Sequence, residues 1–224
     1  MKYLFVAILG LLLGAAAAGA VLYYNPLTQR AAAAPGSADR VLHYSLPDQV
    51  LEFALGDDAE LLGQATGDDG LWEETIDRAA VLGLVLNDAA DRPAAIASRL
   101  LLASPATDLL LRGVLLSDYW LVTIPGEGTL FVQADSNVWP FVKQTLVPVW
   151  YLERPWQGPV EYLPTVGPGD ANTAIVMGTA GAFEGRNGSA VERYNVTDLN
   201  AARRSAAAVG ELHLHLPGPE VAAQ

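Results

Sequence analysis

The sequence contains no cysteine, and positive charge is scarce. Among its 224 residues, 13 Lys and Arg stand against 25 Asp and Glu, a formal net charge of −12 at pH 7. The lack of cysteine excludes a disulfide framework, a cysteine nucleophile and thiolate metal sites. The acidic balance argues against a nucleic-acid partner, which requires a basic face to displace counterions from phosphates. The apolar fraction of 51% instead indicates a globular or membrane-associated chain.

An uncharged run of 22 residues lies near the N-terminus, at positions 3–24. As a helix it would be about 33 Å long, enough to cross a hydrocarbon core of about 30 Å. Lys2 precedes the run, and tyrosines lie at both ends, where membrane helices carry interfacial aromatic residues. We expect residues 1–27 to be a single-pass signal-anchor that places the bulk of the chain outside the cytoplasm, in a periplasmic or extracellular position. The alternative is a cleaved signal peptide, since residues 18–20 fit the small-x-small cleavage rule.

Composition divides the rest of the chain. Residues 28–39 are rich in Ala, Pro and Gly and predict a tether. Residues 40–217 predict the exported domain, which is large enough to bury its own core. Residues 218–224 predict a tail.

The exported domain shows mainly strand patterns. Residues 113–124 and 129–135 alternate between apolar and polar around a Pro-Gly turn, which is the period of a strand. Apolar runs at 79–86 and 96–103 flank a turn and favour a hairpin, although their Ala and Leu content leaves a helical hairpin open. Further strands are predicted at 41–44, 50–55, 174–177, 189–197 and 211–216, with a short helix at 199–209 and a Pro-rich and Trp-rich rim loop at 139–168. The predicted fold class is all-β, an antiparallel β-barrel-like domain behind a single N-terminal transmembrane helix.

The segment 176–188 carries glycines around one phenylalanine: Gly178, Gly181, Phe183, Gly185 and Gly188. This spacing resembles a hairpin of the allene oxide cyclase and dirigent-like β-barrels, whereas Thr179 and Ala180 depart from its small-residue details. Glycines permit positive φ and close backbone approach at a barrel corner. The resemblance implies a barrel with an apolar interior whose end Phe183 plugs. The catalytic residues of those cyclases have no counterparts here, so no activity is carried over.

Two groups of residues could carry chemistry. On a strand, Glu211, His213 and His215 share one face, where two histidines at i and i+2 can reach one metal ion; the leucines between them face the other way. The alternative is a solvated polar face, and a metal site would also need a distant ligand, for which His43 is the only other histidine. Asp118 lies on the apolar face of its strand. It is a candidate general acid or base if that face lines a cavity, and a paired core residue if it does not.

Aromatic residues and one cation form a candidate ligand-binding group. We expect a lid over the barrel mouth that contacts an apolar or carboxylate ligand, or else simple packing under a long loop. The candidate residues are Trp120, Trp139, Trp150, Arg154 and Trp156.

The sequence leaves three functions open. The first is a non-catalytic module that binds an apolar small molecule or an envelope partner, with the bilayer contacted through residues 3–24. The second is an isomerase-like or cyclase-like enzyme that uses Asp118 in a cavity. The third is a structural or assembly protein with a filled barrel. No nucleotide-binding or hydrolase motif is present and no cofactor is expected.

Overall fold

The computed structural model describes residues 2–24, 39–46, 79–108, 110–200 and 205–217. Within these ranges a helix, α1 at Lys2–Tyr24, precedes ten strands. The strands are β1 Arg40–Leu46, β2 Ala79–Asn87, β3 Pro93–Ala103, β4 Leu115–Ile124, β5 Gly128–Asn137, β6 Val160–Tyr162, β7 Thr165–Gly167, β8 Ala174–Gly181, β9 Asn187–Asn200 and β10 Ser205–His215. The predicted strand at 50–55, the tether and the tail lie outside the described residues, apart from Asp39 at the end of the tether.

Eight strands form a closed antiparallel barrel. Hydrogen bonding runs β1–β2–β3–β4–β5–β8–β9–β10, and β10 pairs back onto β1 to complete the ring. The short strands β6 and β7 pair outside this order, with β9 and β5. The predicted all-β antiparallel barrel is therefore confirmed. Most strands bury alternate side chains against the same interior, and the ring closes where β10 pairs with β1.

The hairpin at β2 and β3 is confirmed, and the helical-hairpin alternative is wrong. Leu84 and Leu86 on β2 are buried, with exposed Val85 between them, and Ala95 and Ala97 repeat this pattern on β3. This period of two buries both apolar runs on the inner face of a sheet. Cross-strand pairing therefore overrides the helical propensity of Ala and Leu.

Two predicted segments differ from the structure. The helix expected at 199–209 is wrong, because β9 continues to Asn200 and β10 begins at Ser205. Residues Ala206, Ala207 and Ala208 pair with β9, and β10 also pairs with β1. The expected rim loop contains a helical insert, one turn at Trp139–Phe141 that continues as a π-helix at Val142–Tyr151. Pro140 lies in the first turn of this insert, where a backbone N–H would have no partner within the helix, so the missing N–H of proline costs no helical hydrogen bond.

The barrel interior is filled by side chains. One buried cluster spans the eight strands and includes Leu42, Trp120, Val132 and Val176, all between 0% and 1% exposed. Phe183, in the β8–β9 turn, is also buried in this cluster. Gly178 permits this, because a Cβ at that position would overlap the Phe183 carbonyl group. A second buried cluster lies under the helical insert, around Phe141, Leu146 and Val149.

Helix α1 precedes the barrel domain in the sequence. Near its end the Tyr23 ring lies 5.9 Å from Lys143 Nζ of the helical insert. In the part of the chain whose side chains the structure describes, no helix is long and apolar enough to span a membrane.

Candidate functional site

Charged residues meet inside the barrel. Arg99 on β3, Asp118 on β4 and Glu192 on β9 are 1%, 0% and 3% exposed. Each occupies an inward-facing position of its strand, so three separate strands bring their charges to one point. Together with Tyr44 on β1 and Tyr194 on β9, these residues are called the Arg99 network below.

The Arg99 guanidinium bridges both carboxylates. Its Nε donates to Asp118 Oδ1 at 3.0 Å, and its Nη2 donates to Asp118 Oδ2, which makes a two-point ion pair. Its Nη1 lies 3.0 Å from Glu192 Oε1, and its Nη2 donates to Glu192 Oε2 at 3.1 Å. The planar fork of arginine fits such paired carboxylates.

Aromatic residues enclose these charges. Tyr44 Oη donates to Glu192 Oε1, and Tyr194 Oη donates to the same oxygen at 2.8 Å. The Arg99 guanidinium carbon lies 4.3 Å from the centre of the Trp120 ring, a cation–π contact. On the backbone, the Glu192 N–H donates to Thr165 Oγ1 at 3.0 Å. The network is thus fixed by side chains from five strands.

Burial also shifts the titration of these groups. It raises the pKa of Glu192; the Arg99 charge opposes that shift, and the Asp118 charge adds to it. Burial likewise raises the pKa values of Tyr44 and Tyr194 well above their usual range, so both hydroxyls remain donors. One cation facing two ionised carboxylates would leave one net negative charge in the interior. The hydrogen bonds from Tyr44 and Tyr194 act against the increase in the pKa of Glu192, because they stabilise the ionised carboxylate.

The network places the candidate catalytic residue Asp118 among paired core groups. Both hydrogen bonds described for its carboxylate come from Arg99. A carboxylate held this way stabilises a neighbouring cation, and it is not free to accept a proton from a substrate. Of the alternatives left open by the sequence, the arrangement fits the paired core residue.

A groove lies between the helical insert and the chain that follows it. Its volume is about 270 Å³. The residues that line the groove are Gln144, Thr145, Pro148, Val149, Arg154, Pro155, Trp156, Gln157, Gly158 and Val160. Within the described residues, the Arg154 guanidinium takes part in no ion pair or side-chain hydrogen bond. The groove therefore combines an apolar wall with one available cation.

The candidate ligand-binding residues separate into three groups. Arg154 and Trp156 line the groove. Trp120 does not: it is 1% exposed inside the barrel, because its inward position on β4 places its ring against Arg99. Trp139 begins the helical insert and does not line the groove, and the side chain of Trp150 lies outside the described residues.

The candidate metal residues are placed on the outer side of β10. His213 Nε2 lies 2.9 Å from Glu211 Oε2, and His43 Nδ1 on β1 lies 3.7 Å from Glu211 Oε1. His215 instead contacts Asp39, at 3.3 Å. Across the described ranges, no group of three or more His, Cys, Asp or Glu side chains is placed to hold a metal ion.

The sequence interpretation missed Arg99 and Glu192. A signal for Arg99 was present, because it falls in the inward register of β3 between Ala97 and Leu101. A buried arginine requires a carboxylate partner, and Asp118 was already assigned to an inward face. Glu192 carries no such signal, because its strand also has buried residues at Val191 and Ala190, so alternation does not fix its face.

Comparison of the sequence with protein-family models and with curated proteins found no match.

Proposed function

We propose that the chain is a membrane-anchored, non-catalytic binding module whose ligand is an apolar small molecule that carries a carboxylate. The ligand site is the groove between the helical insert and residues 154–160. The anchor is the uncharged run at residues 3–24, which lies within helix α1. This anchor would hold the barrel domain next to the bilayer on its extracytoplasmic side.

The observation that carries the proposal is the position of Arg154. This cation borders a groove whose other lining residues include Pro148, Val149 and Trp156. In a chain with a net charge of −12, an arginine without an ion pair among the described residues is a specific point of attraction for an anion. An apolar wall with one convergent charged group is typical of a small-molecule site.

The filled barrel counts against the cyclase-like alternative. The cyclase-like alternative requires a cavity acid beside a second polar group and room for a substrate. Asp118 instead contacts Arg99, and Trp120, Leu42 and Val132 occupy the interior around it. The same filling favours the structural or assembly protein as the second candidate, in which the groove takes no small ligand.

Native mass spectrometry of the full chain, released from detergent, tests the proposal. The probe is dodecanoate, with its methyl ester as the uncharged control. We expect one bound dodecanoate, lost in Trp156→Ala because the apolar wall is removed. Arg154→Gln should weaken dodecanoate binding roughly tenfold, because it removes one charge-assisted hydrogen bond. Binding of the methyl ester should not change.

A matched control is Arg112→Gln, which removes an exposed arginine that does not line the groove. Its affinity for dodecanoate should equal that of the wild type. An equal loss in both arginine variants would show that only overall charge matters. That result, or a wild-type chain that retains no probe, would reject the groove as a ligand site and favour the assembly protein.

A further inference from the structure

The outer surface of strands β2, β3, β4, β5 and β8 carries no charged side chain in three successive cross-strand rows. The pairing registers place Val85 beside Ile96, Ser98 beside Leu121, and Tyr119 beside Gln133. The row that contains Leu121 continues through Phe131 on β5 to Met177 on β8. The rows contain Val81, Gly83, Val85, Ile96, Ser98, Leu100, Tyr119, Leu121, Thr123, Thr129, Phe131, Gln133, Ile175 and Met177. This surface is called the uncharged face.

Several aliphatic side chains of this face are open to solvent. Val81, Val85 and Ile96 are 59%, 56% and 58% exposed, and Leu121 is 48% exposed. The Tyr119 and Phe131 rings stack at 6.2 Å between neighbouring strands, which fixes the centre of the face. A contiguous apolar surface of this kind is uncommon on a soluble domain unless something covers it.

Charge is distributed unevenly around the barrel. No Asp, Glu, Lys, Arg or His belongs to the three rows, although the chain as a whole carries a net charge of −12. On the outer side of β1, β9 and β10, by contrast, Glu211 lies within 4 Å of His43, His213 and Arg193. Two copies of this acidic chain would repel each other at most surfaces, and least where the uncharged faces meet.

We propose that the uncharged face is a homodimer interface, in which two copies pack face to face around a two-fold axis near Leu121. Leu121 lies in the middle row and on the middle strand, so an isologous contact brings it against the same residue of the second copy. The exposed side chains amount to roughly 600 Å² per copy, so the pair would bury roughly 1,200 Å², the lower limit of stable interfaces. The proposal therefore specifies a weak, concentration-dependent dimer.

A lipid surface is the competing occupant, and the charges favour the second copy. Peripheral membrane surfaces combine apolar residues with lysine and arginine that contact anionic headgroups. The uncharged face has neither residue, whereas a second copy needs none. Sheet-on-sheet packing also suits regular rows of aliphatic and aromatic side chains.

The lack of native cysteine makes the test direct. In the full chain in detergent, Leu121→Cys should form a disulfide-linked dimer on mild oxidation. Val209→Cys is the matched control, because Val209 is also an exposed apolar residue, 39% exposed, but lies on β10 outside the face. It should remain monomeric under the same conditions.

A second measurement uses sedimentation equilibrium over a range of protein concentrations. Wild type should approach twice the monomer mass, and Leu121→Arg should weaken association at least tenfold, whereas Val209→Arg should not. Association that survives Leu121→Arg would come from elsewhere, including α1, and would overturn the proposal. Equal cross-linking of both cysteine variants would also overturn it. A third result would also overturn the proposal. If the wild type is monomeric, and a fluorophore attached to Leu121→Cys is quenched by spin-labelled lipid in phosphatidylcholine vesicles, the uncharged face contacts lipid instead of a second copy.

Discussion

Replacing Arg99 with methionine should remove the only cation of a buried group of charges. The side chain is 1% exposed, and methionine fills much of the same space without charge. Asp118 then loses both of the hydrogen bonds described for its carboxylate, and Glu192 loses its ion pair. Two carboxyl groups remain in the interior without a compensating charge.

The expected cost is large. Removing one partner of a buried ion pair typically destabilises a protein by about 3–5 kcal/mol, because the other charge stays buried and unpaired. Loss of the cation–π contact with Trp120 acts in the same direction. Total stabilities of natural domains are about 5–15 kcal/mol, so Arg99→Met should leave only a marginally folded barrel at neutral pH. The cost should shrink in acid, because burial raises the pKa of Glu192 and this carboxyl group takes up a proton readily as the pH falls.

Urea unfolding, followed by intrinsic tryptophan fluorescence, measures this change. Arg92→Met is the matched control, since Arg92 also forms an ion pair with an aspartate, Asp88, but its side chain is 77% exposed. Its unfolding midpoint should equal that of the wild type, because exposed ion pairs contribute little. If Arg99→Met unfolds at the same urea concentration as Arg92→Met, or loses the same stability in acid as at neutral pH, the reasoning about the buried charges is refuted.

Two further perturbations test the interior. Burial raises the pKa of Glu192 above its ordinary value of 4.5, so its proton is bound more tightly in the folded state. Its contribution to stability is complete below that value and declines as pH rises through the folded pKa. Wild type should therefore lose stability relative to Glu192→Gln over that range in a pH series of urea unfolding curves, and a constant difference would contradict the assignment. Phe183→Ala should cost about 3–5 kcal/mol in the same assay, because it opens a cavity at the end of the barrel; a loss below about 1 kcal/mol would show that Phe183 does not plug the interior.

The barrel could be predicted from the sequence where alternation is regular. β4 and β5 follow the period of two at nearly every position, with a glycine turn between them. The alternation also separates inner from outer residues, and so correctly assigns Asp118 to the apolar side. Alternation alone could not predict that the barrel closes, because the pairing of β1 with β10 joins residues far apart in the sequence.

Two parts of the structure could not be predicted from local patterns. Residues 205–208 are rich in alanine and favour helix, yet they form a strand because β9 pairs with them and β1 pairs with part of this segment. The helical insert was not predicted because Pro140 and Pro148 indicate a loop, although Pro140 lies in the first turn of the insert and Pro148 lies in its π-helical stretch. Both outcomes depend on tertiary contacts.

The candidate site was predicted only in part. Arg154 and Trp156 lie close in sequence and meet at the groove, so composition alone could group them. Trp120 is distant from them in sequence, and its inward register separates it from the groove. The resemblance of residues 176–188 to a hairpin of the allene oxide cyclase and dirigent-like barrels stays a prediction.

The pairing of β1 with β10 has a consequence for how the protein is made. Arg40 on β1 lies opposite Leu214 on β10, so the ring cannot close until β10 has left the ribosome. Until then β1 and β9 each present an unpaired edge, which invites association with other chains. Contacts of such long sequence separation also slow folding. Deletion of β10 should therefore convert this barrel into an open, aggregating sheet, and synthesis of the chain should require protection of its earlier strands until β10 is available to pair with β1.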